Sequence, residues 1–229
     1  VVTGTATANP ITFTGAGARG DDITLTVDTS NHSISDLIAL KALTNQSTFS
    51  FDGSLGIADT IDNLVKADGS DVKDDVETII AATSSPKVAL TAFTIDSDND
   101  IKQLNALAAE PGIGAITGTV TDTSGTFILD RFGTLIGMTD DDAITVNLTD
   151  TGFTFTDDQV TRFSSLVNAT GISSITGSAT ISSTRAGSVG AINDTSNKIG
   201  VNFTLSEQTD ISNSSALIGN TSGTVTFHS

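Results

Sequence analysis

The strongest constraint on this chain is that it repeats itself. Ile116-Thr-Gly-Thr-Val-Thr121 returns fifty-nine residues later as Ile175-Thr-Gly-Ser-Ala-Thr180, and a third copy, Val2-Thr-Gly-Thr-Ala-Thr7, opens the chain. Upstream of the two internal copies the match runs on without a gap. Asp98, Leu107, Gly112 and Ile113 correspond to Asp157, Leu166, Gly171 and Ile172, while Ile101 and Leu104 correspond to Val160 and Phe163. Each unit of such a repeat buries a face against its neighbour that it cannot bury alone, so a row of stacked supersecondary units is expected before any particular chemistry.

Two periodicities fill the units. Ile23-Thr-Leu-Thr-Val27 alternates apolar and hydroxyl residues, which is a strand with one buried face and one threonine face. Strand starts are expected near 23, 48, 88, 116, 144, 175, 199 and 223, with a further extended piece at Ile11–Thr14 and an apolar segment at Phe127–Met138. Helical spacing predicts helices over 34–43 (capped by Ser33 or Ser35), 57–66, 71–82, 98–109 (capped by Asp98 or Asn99) and 158–168. A weaker helix or loop is expected over 183–192, and a loop-rich turn around Ala216–Ile218.

Apart from the inserted turn between 48 and 88, strand starts about 24 to 31 residues apart, with a short helix or loop between them, favour parallel neighbours, because an antiparallel pair needs only a hairpin. The expected fold is a β-rich α/β repeat, a β/α solenoid with a parallel sheet of stacked strands and short helices. It would form one continuous domain over 1–229, in approximate units 1–47, 48–115 with an inserted helix in 56–86, 116–174 and 175–229. A string of small β-sandwich domains is the alternative, and it leaves the amphipathic helices unexplained.

Charge and composition narrow the partners. Twenty-four Asp and three Glu against ten Lys plus Arg give a net charge of −17. Nothing here would neutralise a phosphate backbone, so nucleic acid is not expected, and an anionic membrane surface would repel the chain. No run of residues suggests membrane insertion. Absence of Cys removes disulfides and thiolate chemistry. More than a quarter of the residues are Ser or Thr, with no Trp and no Tyr, a mix familiar from secreted surface proteins. The chain opens on Val1 rather than Met, consistent with a processed or excised chain.

Asp96-Ser-Asp98-Asn-Asp100 sets three carboxylates at alternate positions, the hard oxygen donors that suit calcium. Its first half resembles an EF-hand loop, but Ile101 stands where the turn needs Gly and Leu107 where the bidentate acid belongs. Asp140, with Asp141 and Asp142, and the pair Asp157-Asp158 are further calcium candidates; helix caps and turns account for the same residues. His32 and His228 are the only histidines, and no Gly-x-Ser-x-Gly elbow accompanies them. No catalytic residues and no cofactor other than calcium are expected. Stacked Thr24/Thr26, Thr117/Thr119/Thr121 and Thr224/Thr226 could present the hydroxyl and methyl array that ice-binding solenoids use, or simply suit exposed strand faces. A polysaccharide-degrading enzyme on a β-helical scaffold is a minor alternative, since the acids lie in loops.

Ile-Thr-Gly-x-x-Thr strands alternating with Asp-capped Leu-x-x-Leu helices resemble the tandem repeats of very large secreted surface proteins of marine bacteria and cyanobacteria, and repeats of phage fibre proteins. The resemblance covers most of the chain outside Gly56–Pro86, and implies a structural or adhesive role at the cell surface or in a virion. The expectation is therefore a non-enzymatic extracellular structural protein that self-assembles into a surface layer, filament or fibre. Its partners would be copies of itself or adjacent repeats, joined head to tail, with cell-surface glycans as further partners. An adhesin or phage receptor-binding module is the alternative.

Overall fold

The computed structural model describes residues 2–6, 23–27, 31–44, 56–83, 85–122, 138–149, 155–206 and 211–227. In chain order these form β1 (Val2–Ala6), β2 (Ile23–Val27), β3 (Asn31–His32), α1 (Ile34–Thr44), β4 (Gly56–Asp59), α2 (Ile61–Leu64), α3 (Asp74–Ala81), β5 (Lys87–Ile95), α4 (Asp98–Ala109) and β6 (Ala115–Asp122). There follow β7 (Ala143–Leu148), α5 (Asp157–Val167), β8 (Ile172–Ile181), α6 (Ser183–Gly190), β9 (Ile199–Leu205), α7 (Ile211–Asn220) and β10 (Val225–Thr226). Expected strands at Ile11–Thr14 and Thr48–Phe51 lie outside the described residues, as do most of Phe127–Met138 and His228.

Strands β3 to β10 make one sheet in strict chain order, every neighbouring pair parallel, while β1 and β2 make a separate parallel pair. Each crossover from β3 to β10, apart from the one between β6 and β7, contains a described helix. This is the parallel β/α solenoid that the repeat called for. Turn length varies, since Val88 pairs with Ile57 at a distance of 31 residues and Val225 with Phe203 at a distance of 22. Loops and helices absorb the difference while the ladder continues.

The core lies between the sheet and the helices as one continuous cluster. Alternation is clearest in β9, where Ile199, Val201, Phe203 and Leu205 are buried and Asn202 and Thr204 are exposed. Phe203 meets Phe163 of α5 edge-on at 6.4 Å, and Phe155 meets Phe163 at 5.2 Å. Such pairs add about 0.5–1.5 kcal/mol each beyond burial. The repeat equivalences hold for the helices: Ile101, Leu104 and Leu107 of α4, like Val160, Phe163 and Leu166 of α5, are all buried.

The two internal motif copies do not stack on one another. Ile175 pairs with Val146, which pairs with Val120, four residues beyond Ile116, and β7 separates the two copies. The local role of the motif is nevertheless the same in both. Gly118 (φ +137°) lies beside Leu90 and Gly177 (φ +106°) beside Leu148, in a backbone region that favours glycine. A side chain at Gly118 would come within 2.5 Å of the Leu90 carbonyl oxygen, and one at Gly177 would collide with that of Leu148.

Three expectations need correction. Residues 57–66 are not one helix: Gly56–Asp59 joins the sheet and only Ile61–Leu64 is helical. Asp59, buried, holds this junction by accepting from the amides of Ile34 and Thr60 and from Asn63 Nδ2. The expected loop around Ala216–Ile218 is helix α7, whose inner face buries Ser214 beside Leu217 and so shows weak apolar periodicity. The cap of α4 is Ser97, one residue before the expected Asp98, whereas Ser33 does serve α1 by accepting from the Asp36 amide.

Candidate functional site

The acids expected to bind calcium are placed one by one. Asp100 Oδ2 accepts hydrogen bonds from the amides of Asp96 (2.9 Å) and Ser97 (2.8 Å) and from Ser97 Oγ (2.8 Å), so this carboxylate closes the N-terminus of α4. Asp142 accepts through Oδ1 from the Ile116 amide (2.6 Å) and through Oδ2 from the Thr139 amide (2.7 Å) and Thr139 Oγ1 (3.2 Å). Asp96, Asp98, Asp140 and Asp158 are exposed. Asp157 accepts from Arg185 Nε at 2.7 Å.

Carboxylates converge elsewhere. Among the described residues, oxygens of Asp71, Glu77 and Glu110 lie within 4.8 Å of one another, joining the loop before α3, the first turn of α3 and the residue that follows α4. Burial raises the Glu110 carboxyl above its ordinary value, and the charges of Glu77 and Asp71 add to the rise. Sequence spacing could not show this cluster, because three separate segments build it. Nearby, Lys66 pairs with Asp74 at 3.2 Å, and that hydrogen-bonded partner raises the Lys66 pKa.

Two surfaces stand out for a repeat protein. The first is the face of the sheet turned away from the helices. Thr94, Thr121, Asn147, Thr176 and Gly200 fall in one outward column, and Thr119, Thr145 and Ser174 in another. Side chains bond along these columns, Thr145 Oγ1 to Ser174 Oγ at 3.0 Å and Thr176 Oγ1 to Asn147 Oδ1 at 3.3 Å, and on the same face the amide and hydroxyl of Thr224 donate to Asn202 Oδ1 at 2.9 Å each. No acid stands at an outward strand position among the described residues, and Lys87 is the one cation there.

The second is the end of the stack formed by β10 and α7. Helix α7 packs on α6 so closely that a side chain at Gly187 would meet Asn213, and one at Gly190 the backbone of Ala216 and Leu217. Asn220 Nδ2 also donates to the carbonyls of Val189 and Ile192 at the end of α6. Aligning the inward pair Ala186 and Val189 of α6 with Ser214 and Leu217 of α7 puts Ile218 where α6 carries Gly190. Ile218 therefore occupies the face on which a next helix would lie, and it is 51% exposed. In the sheet, Ile181 and Leu205 are paired and fully buried. Phe227, next along that column, is 56% exposed.

Among the described residues no helix is long and apolar enough to cross a membrane. No family model, curated protein or solved structure matches the chain.

Proposed function

We propose that this chain is a non-enzymatic structural protein of the cell exterior, a self-assembling subunit or module of a surface layer, filament or fibre. One observation carries the proposal. The β10 and α7 end of the stack exposes Ile218 and Phe227 on the face where each internal turn receives its neighbour. Among the described residues the outer edge of β10 also pairs with no strand. A solenoid end that exposes apolar side chains favours a further turn, and a head-to-tail contact that does not close builds a fibre. The occupant would be another turn of the same kind, from the same polypeptide or from a second copy. The likeness to tandem repeats of large secreted surface proteins, and the Ser- and Thr-rich composition, support an exterior location.

Light scattering with electron microscopy, in calcium and in chelator, tests the proposal. Elongated assemblies that grow with concentration are the expected result, and calcium enters as the variable that distinguishes acid-bridged from purely apolar stacking. Strict monomers in both conditions would contradict self-assembly.

A further inference from the structure

We infer that the outward face of the sheet is a second, lateral interface, and that its occupant is the same face of another copy of this chain. The inference rests on the self-assembly proposal but uses a surface separate from the stacking end.

Charge supports it first. A chain of net charge −17 meets its own copy against strong like-charge repulsion on most surfaces. The outward strand positions, free of acids among the described residues, are where two copies can approach without setting carboxylate against carboxylate.

Area supports it next. Eight strands spaced ~4.8 Å apart span about 34 Å, and strands averaging roughly six residues span about 20 Å. The face is then about 700 Å² per copy, close to the ~800 Å² per partner of a standard stable interface.

Hydrogen bonds along the sheet lower the cost of burying part of its hydroxyls. The Thr145–Ser174, Thr176–Asn147 and Thr224–Asn202 bonds already use polar groups on this face, and Thr117 Oγ1 donates to the Val88 carbonyl at 3.5 Å. Threonine methyl groups remain to meet the opposing sheet, and two such faces can pack at the ~10 Å separation of aligned sheets. A two-fold contact of this type is self-complementary and closes on itself. Combined with end stacking, it doubles a filament rather than lengthening it.

Sedimentation velocity of the Thr119→Asp/Asn202→Asp double variant tests this, because both residues are exposed and Asp at 202 keeps the acceptor that Thr224 uses. Lateral association is expected to weaken by about tenfold or more through opposed like charges. Ala109→Asp, at an exposed position of α4, should leave it unchanged. Ile218→Asp/Phe227→Asp should abolish growth in length and leave the lateral dimer, so the two contacts fail separately. A thiol introduced by Thr119→Cys in this Cys-free chain should alkylate more slowly as protein concentration rises, even if the charged variant does not fold. Unchanged association of the charged variant, or concentration-independent alkylation, would overturn the lateral interface. Protection that appears only on adding a neutral polysaccharide would overturn the assignment of its occupant.

Discussion

Asp142 Oδ1 accepts a 2.6 Å hydrogen bond from the backbone amide of Ile116, the first residue of the recurring motif, twenty-six positions upstream. With Oδ2 held by Thr139, this carboxylate fastens the start of one strand to the turn that leads into the next. Asp142→Ala should therefore cost about 1–3 kcal/mol, the range for stranding a bonded donor, and cost it equally in calcium and in chelator. Asp140→Ala, at an exposed neighbour, should stay within about 0.5 kcal/mol of wild type. Urea denaturation of both variants checks this; a loss confined to calcium-containing buffer would make Asp142 a metal ligand instead.

Glycines at two sites should respond in opposite directions. Gly177→Ala places a Cβ against the Leu148 carbonyl at a φ of +106°, so a loss of roughly 2–4 kcal/mol is expected. Gly219 lies in α7 with open space around it, and Gly219→Ala should gain up to about 1 kcal/mol from helix propensity alone. Thermal unfolding midpoints of the pair, moving apart around wild type, are the measurement.

Glu110 gives a prediction in pH. Its carboxyl is raised in the fold, first by burial and then by Glu77 and Asp71, so the folded state holds this proton more tightly than the unfolded chain does. Its contribution to stability is then fully present below the ordinary value of 4.5 and is lost as pH rises through the raised one. Glu110→Gln should stabilise near neutral pH by on the order of 0.5 kcal/mol, a partly exposed group being screened, and should give no gain in acid. Stability curves against pH for both proteins decide it, and a gain that persists unchanged below the ordinary carboxyl range would refute the cause given.

Much of the architecture was legible because parallel strands and amphipathic helices leave different periods. Helix 98–109 and the strands at 115–122 and 199–205 fall where apolar spacing puts them. Strand β4 was hidden because Ile57 is followed closely by a helix and its second inward residue is an acid, Asp59. Helix α7 was hidden because a serine occupies an inward position and because its packing relies on glycines of its neighbour. The four-residue stagger between the motif copies is set by pairing through β7, which a comparison of the copies alone does not contain. The acidic trio Asp71, Glu77 and Glu110 depends on three segments meeting, whereas in the Asp-rich runs visible in sequence Asp100 closes a helix start and Asp142 ties a turn.

Whether the exposed end at Ile218 and Phe227 receives a further turn is decided by sedimentation velocity across a concentration series. Wild-type protein should form species that lengthen with concentration, while the Ile218→Asp/Phe227→Asp variant, folded by circular dichroism, should lose that growth. Identical sedimentation of the two proteins at every concentration would rule out stacking through this end.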